Sequence, residues 1–127
     1  MNLLLDTHVL LWWDSADARL APSTASLLAD QRNTVYVSAA SPWEIAIKAR
    51  KGKLAFAGSP SKLIEANGFL PLPISVAHAE RAGSLDWTHA DPFDRVLVSQ
   101  ALEDGLVLVH ADESIRGFAR VSQIWAR

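Results

Sequence analysis

The sequence predicts an α/β fold, a three-layer α/β/α sandwich with a central parallel sheet. Apolar runs of strand length occur at Leu3–Leu5, Val35–Ser38 and Leu106–Val109. Longer segments with the apolar spacing of helices separate these runs. Strands that alternate with helices favour parallel pairing, and strands covered on both faces are apolar throughout.

Size and composition fit one domain over residues 1–127. Of the 127 residues, 50% are hydrophobic and 20% are charged, which allows a conventional core. The absence of cysteine excludes disulfides and cysteine-ligated zinc, and it fits a cytoplasmic location. No apolar stretch could span a bilayer, and the N-terminus lacks a signal-peptide pattern. We therefore expect a cytoplasmic protein that makes no membrane contact.

The first predicted elements are one strand and two helices. The apolar run at Leu3–Leu5 leads through Asp6, a possible helix cap, into a helix. A second helix opens at Pro22, with Leu27–Leu28 facing inward, and ends at Asn33.

The next helix follows the strand at Val35–Ser38. Ser41 is a capping residue, Pro42 suits the first turn, and Glu44 falls three residues after Ser41, which predicts a capping box. Trp43 is expected on the apolar face of this helix, and Gly52 ends it.

The second half of the chain repeats the alternation. The segment Phe69–Ile74 contains two prolines, so it is an edge strand or an extended connector. The other predicted elements are helices at Ser61–Asn67, at Val76–Ala82 and from Asp91 to Gly105, a strand at Leu106–Val109, a helical turn with Ile115 and Phe118, and a last strand at Val121–Trp125.

Five acidic residues fall where a predicted strand gives way to a helix: Asp6, Glu44, Asp91, Asp94 and Asp112. Ligands bind at the carboxyl ends of the strands in an open α/β sheet. Two like charges ~4 Å apart repel by about 4 kcal/mol at an effective dielectric of ~20. Carboxylate oxygens are preferred ligands of Mg²⁺ and Mn²⁺. The sequence therefore predicts a divalent-metal site.

Helix capping is the alternative role for each acid taken alone. Asp91 before Pro92 is an ideal N-cap, and the spacing leaves open whether Asp91 or Asp94 points into the site. Five acids at such junctions favour a site, because Ser, Thr and Asn would cap equally well.

Histidines and tryptophans give weaker signals. No histidine pair has zinc-ligand spacing, so the four are expected to be structural. They are His8, His78, His89 and His110. Trp12 and Trp13 are adjacent on one helix and cannot point the same way. We expect one of them near the surface, either at a protein interface or as a core residue with an open edge.

The net charge of −2 is unusual for a protein that binds nucleic acid. If the acids collect in one pocket, however, the remaining surface is basic. Lys48, Arg50, Lys51 and Lys53 form a short cluster that is either a phosphate-binding surface or a solvated helix end.

Four motifs together resemble those of a known family. They are Leu3–His8, Ser41–Ile45, Asp91–Arg95 and Leu108–Asp112. In this order they resemble the motifs of PIN-domain proteins, and within that family those of the VapC-like ribonuclease toxins of bacterial toxin–antitoxin pairs. One motif alone would be weak evidence, but four in order along nearly the whole chain are specific.

The resemblance implies a PIN-like α/β/α sandwich and an endoribonuclease that depends on Mg²⁺ or Mn²⁺. It places the family's four acids at Asp6, Glu44, Asp94 and Asp112. Asp91 belongs to the motif as a further ligand or a helix cap. The sequence departs from the family at His110, where a hydroxyl residue is frequent.

The resemblance also implies partners. Asp6 and Asp94 are expected as primary ligands, and Arg95, Lys48 and Lys51 as contacts to RNA phosphates. A cognate antitoxin and a homodimer are expected as well. Which RNA is cut stays open, because specificity lies in loop shape and single-strand contacts.

Three other classes of protein are alternatives. A phospho-accepting receiver domain needs a mid-chain Asp and a late Lys, but no Asp lies between residues 55 and 74 and no Lys follows Lys62. An Asp-x-Asp phosphatase needs a second Asp at position 8, where the chain has His8. A non-catalytic PIN-like module that binds RNA or protein is the remaining alternative.

Overall fold

Five parallel strands form one sheet in the order β3-β2-β1-β4-β5. The computed structural model describes all 127 residues. The strands are β1 (Asn2–Leu5), β2 (Thr34–Ser38), β3 (Leu70–Leu72), β4 (Val107–His110) and β5 (Gln123–Trp125). The predicted parallel sheet is confirmed, and the proline-containing segment is the edge strand β3.

Seven helices cover the two faces of this sheet. They are α1 (Thr7–Asp14), α2 (Pro22–Ala29), α3 (Ala40–Arg50), α4 (Pro60–Ala66), α5 (Val76–Ser84), α6 (Pro92–Asp104) and α7 (Glu113–Arg116). Helices α1, α2 and α4 contribute to one core cluster, and α6 and α7 contribute to another on the opposite face. The predicted three-layer α/β/α arrangement is confirmed. None of the helices is both long and apolar enough to span a membrane.

The central strand explains why its sequence is apolar without alternation. Leu3 and Leu5 belong to one core cluster and Leu4 to the other, and all three are fully buried. Full burial of a leucine side chain stabilises the fold by about 1.5 to 3 kcal/mol. Because β1 pairs with both β2 and β4, Leu5 lies beside Val37 and Val109. This register brings the carboxyl ends of three strands to one edge.

The predicted capping box of α3 is wrong. The helix begins at Ala40, and Ala39 before it makes no side-chain cap. Ser41 lies inside the first turn, fully buried, and its hydroxyl accepts a hydrogen bond from Thr7 at 2.9 Å. Glu44 is therefore not a capping residue.

The apolar face that was predicted to include Trp43 is not the buried face of α3. Helix α3 buries Ala40, Ser41, Glu44 and Ile45, while Trp43 is 62% exposed. The polar Ser41 and Glu44 occupy the inward face, so the indole lies outside it. Trp12 is buried, Trp13 is half-buried, and in α2 Leu28 is buried more completely than Leu27.

Candidate metal centre

Three aspartates of the site cap the helices that follow them. Asp6 and Asp112 follow the strands β1 and β4, whereas Asp91 follows the loop after α5, so the prediction that it lies after a strand is wrong. Asp6 precedes α1, Asp91 precedes α6 and Asp112 precedes α7. Each accepts backbone N–H bonds through one carboxylate oxygen, at 3.1 Å for Asp6, 2.9 and 3.3 Å for Asp91, and 2.8 and 3.1 Å for Asp112. The other oxygen of each carboxylate forms no hydrogen bond within the protein. Capping and ligand binding are thus compatible in one residue, since each task uses a different oxygen.

Asp94 differs from these three because it does not cap a helix. Its side chain is 13% exposed, and its Oδ2 lies 2.7 Å from Nε2 of His89. Burial raises the pKa of Asp94 to about 7, against the hydrogen bond from His89, and the charges of Asp91, Asp6 and Asp112 raise it further. A buried carboxylate among like charges gains from a nearby cation.

The side chains of His89, Asp94 and Asp112 can offer ligand atoms to one ion. Their ligand atoms lie within 4.8 Å of one another. Asp6 and Asp91 are close enough to act on the charge of Asp94. A set of carboxylate oxygens suits Mg²⁺ or Mn²⁺, and the imidazole nitrogen favours Mn²⁺ of the two. The chemistry of this donor set therefore fits a divalent ion.

His89 departs from the expectation that all four histidines are structural. It lies in the loop before α6 and reaches the acids from outside the four sequence motifs. The sequence signal for His89 is its position five residues before Asp94, a spacing that is not typical of zinc ligands. His78, by contrast, completes a capping box with Ser75 and contacts Asp104, both structural contacts.

His110 supports the loop that carries Asp112. The backbone N–H of Asp112 donates to Nδ1 of His110 at 3.1 Å, and Nε2 of the same ring lies 2.7 Å from Oε1 of Gln123. Burial lowers the pKa of His110 below its ordinary value, against the hydrogen bond to Gln123. The neutral ring therefore orders the loop that carries Asp112.

Glu44 lies on the neighbouring wall of the site. It is 8% exposed, and its Oε2 lies 3.0 Å from Nζ of Lys48. Glu44 and Asp91 line a cleft of about 250 Å³, whose remaining residues are Ile47, Lys48, Lys51, Lys53, Pro92 and Phe93. The structure thus brings Asp94 and Asp112 together with His89, and it holds Glu44 in a basic cleft beside them.

Arg95 has a structural role instead of the expected contact to RNA phosphate. Its guanidinium donates four hydrogen bonds of 2.7 to 3.0 Å to backbone carbonyls. The acceptors are the carbonyl oxygens of Ala82, Leu85, Trp87 and His89. Four of its five N–H groups are occupied. Arg95 therefore fixes the loop between α5 and α6 and with it the position of His89.

Comparison with known proteins defines the class to which this fold and site belong. The sequence profile of the PIN domain family matches residues 3–122. The chain therefore belongs to the PIN domain family. A search of curated proteins finds no match.

Solved structures with a similar fold come from toxin–antitoxin complexes. VapBC2 from Rickettsia felis, bound to a DNA fragment from the promoter, has a TM-score of 0.67 at 14% identity, with 98% of each chain covered. A toxin–antitoxin complex from Klebsiella pneumoniae has a TM-score of 0.64 at 19% identity, with 98% of each chain covered. DNA-bound VapBC from Salmonella typhimurium has a TM-score of 0.67 at 14% identity, covering 98% of this chain and 97% of that one. At these identities the likeness is one of fold.

Proposed function

We propose that this protein is a metal-dependent endoribonuclease and the toxin component of a toxin–antitoxin pair. One observation carries the proposal above the others. Asp6, Asp91 and Asp112 each have one carboxylate oxygen with no hydrogen-bond partner in the protein, and their charges act on the half-buried Asp94. Such a concentration of negative charge gains from a divalent ion, and the PIN fold supplies the class of protein.

In this proposal Asp6, Asp94 and Asp112 hold the ion, Mg²⁺ or Mn²⁺, with Asp91 and His89 beside them. The ion, when bound, would neutralise the scissile phosphate and lower the pKa of an attacking water. The capping hydrogen bonds keep the carboxylates in fixed orientations, so little reorganisation is needed when substrate arrives.

Glu44 and the lysines of the cleft complete the proposed machinery. In this proposal Glu44 accepts a hydrogen bond from the attacking water, and the 3.0 Å contact with Lys48 orients its carboxylate. Lys51 and Lys53 lie along the same cleft, where they can contact RNA phosphates. Arg95 is less suited to this role because its guanidinium already donates four hydrogen bonds to backbone carbonyls.

The proposed partners follow from the class. An antitoxin protein would cover the acidic site, and the toxin would form a homodimer that cuts RNA in the cytoplasm. The structural relatives from toxin–antitoxin complexes support a protein partner. Purification of the chain with the product of the adjacent gene would test this, and recovery of the chain alone would contradict it.

The central experiment compares wild type with Asp6→Asn. Asparagine keeps a side-chain oxygen that can cap α1 but removes the charge from the site. We expect the variant to keep its fold and to lose metal-dependent RNA cleavage by at least 100-fold, read from mapped 5′ ends of RNA and from a purified RNA substrate. Full activity in Asp6→Asn would overturn the assignment.

Calorimetric titration with Mn²⁺ addresses the remaining alternative. We expect binding in wild type and much weaker binding in Asp94→Asn. An absence of Mn²⁺ binding by folded wild type would favour a non-catalytic PIN module that binds RNA or protein.

A further inference from the structure

Trp43 is the one exposed tryptophan of the five in the chain. It is 62% exposed and lies in the first turn of α3, directly before Glu44. Its ring meets Phe93 with centroids 5.2 Å apart and an angle of 71° between the planes. Aromatic side chains bury about 150 to 250 Å² of surface when they are covered. An indole left in water beside the site therefore offers a large apolar surface to a ligand.

The surroundings of Trp43 are basic. Phe93 lines the same cleft as Lys48, Lys51 and Lys53. Residues four positions apart share one face of a helix, and Trp43 is four positions before Ile47, which lines the same cleft as the lysines. An aromatic ring thus borders a row of cations that leads to the acidic site.

We propose that Trp43 stacks against one unpaired base of the substrate, next to the phosphate held at the acidic site. This inference rests on the proposed ribonuclease function and deepens it. Proteins bind single strands by combining a positive groove with aromatic rings on which bases stack. Bases within a duplex are stacked on both faces and cannot reach such a ring. The substrate at this position is therefore single-stranded, and Trp43 influences which nucleotide lies beside the cut.

The charge pattern favours RNA over a protein partner at this surface. Protein interfaces have cores depleted of charge. Here two aromatic rings stand beside three lysines, and Glu44 and Asp91 follow within the same cleft. Cations flanking an aromatic ring match the alternation of phosphates and bases along a nucleic-acid strand.

The test measures binding apart from cleavage. All binding measurements use proteins that also carry Asp6→Asn, in Mg²⁺, so that the RNA is not cut, and Asp6→Asn alone is the background protein. The fluorescein-labelled probes are ten-nucleotide oligo(A), oligo(U) and a matched RNA duplex. We expect Trp43→Ala to weaken binding of oligo(A) about tenfold and Trp43→Phe to weaken it less than threefold. Oligo(A) should also quench tryptophan fluorescence in the background protein but not in Trp43→Phe.

Two controls separate stacking from charge and from folding. Lys51→Ala should reduce the salt dependence of binding by about one unit of slope, whereas Trp43→Ala should leave that slope unchanged. Val76, another exposed apolar residue at 76%, provides Val76→Ala, which should bind like the background.

The outcomes are distinguishable. RNA binding that is equal in Trp43→Ala and the background overturns the stacking role and leaves the nuclease proposal intact. Loss of a co-purified protein in Trp43→Ala, with RNA binding unchanged, identifies a protein interface instead and also overturns it. If wild type neither binds nor cuts any RNA, the proposed function fails first and the stacking role fails with it.

Discussion

A carboxylate has two oxygens, and this site uses them for different purposes. Asp6, Asp91 and Asp112 each accept backbone hydrogen bonds at a helix N-terminus through one oxygen, and the other oxygen forms no hydrogen bond within the protein. The capping bond fixes the orientation of the side chain. The second oxygen is therefore held in place and cannot turn away from nearby negative charges. A capping role and a ligand role are therefore compatible in each of these residues.

Asp94 should make the metal-free protein sensitive to pH. Its pKa is raised from 3.8 to about 7 in the folded chain, so the folded state binds more protons than the unfolded state between these values. The stability of the metal-free protein therefore falls as pH rises from about 4 to 7. Asp94→Asn should remove this loss and be more stable than wild type at pH 8 by about 2 to 4 kcal/mol.

Urea unfolding in EDTA at pH 5 and pH 8 measures this difference. Addition of Mn²⁺ at pH 8 should stabilise wild type well above its metal-free value and affect Asp94→Asn little. If metal-free Asp94→Asn is less stable than metal-free wild type at pH 8, burial and the neighbouring carboxylates do not destabilise the ionised Asp94.

Arg95 should be required for stability. Arg95→Lys replaces a planar group with five donors by a single ammonium, which cannot reach all four carbonyls. We expect the free energy of unfolding to fall by about 2 to 4 kcal/mol, measured with urea. Arg81→Lys is the matched control. Its contact with Glu103 is 3.4 Å long and exposed, so it should cost less than about 0.5 kcal/mol.

The converse result is equally informative. If Arg95→Lys unfolds like wild type and loses RNA binding instead, the guanidinium contacts substrate, as the sequence motif first indicated.

At the scale of elements, one hydrogen bond links two helices of the site. Thr7 at the start of α1 donates to Ser41 in the first turn of α3, and both side chains are buried. Asp6 directly precedes α1, and α3 contains Glu44. The bond therefore fixes the distance between two acids that are far apart in sequence.

A double-mutant cycle should detect this link. Ser41→Ala leaves the Thr7 hydroxyl without its acceptor and should destabilise the protein by about 1 to 3 kcal/mol. Thr7→Val added to Ser41→Ala should cost less than the sum of the two single changes. Strict additivity in thermal unfolding would mean that the bond does not form in solution.

Sequence patterns predict where the strands and helices lie, but they do not predict which face of α3 is buried. The apolar runs located β1, β2 and β4, and Gly105, with φ 64°, ends α6 as expected. The capping box was wrong because Ser41 has a tertiary partner, Thr7, that local spacing cannot reveal. The contacts of His89 and Arg95 could not be read from the sequence, since they depend on the conformation of the loop before α6.

At the scale of the molecule, the sheet should be most stable at its centre. β1 has a partner on each side and three fully buried leucines, whereas β3 and β5 are edge strands of three residues each. Hydrogen exchange should therefore be slowest in β1 and β4 and fastest in β3. Mass spectrometry of peptides from one digest compares these strands directly, and equal protection of β1 and β3 would contradict the prediction.

The central place of β1 also determines when the site can assemble during synthesis. β1 leaves the ribosome before β4, which pairs beside it and begins only at Val107. A nascent chain thus exposes Asp6 and Glu44 long before Asp94 and Asp112 exist. The acidic residues cannot come together until β4 has been synthesised and has paired with β1. If the chain cuts RNA, this strand order delays its activity, and it gives a partner protein made alongside it time to bind.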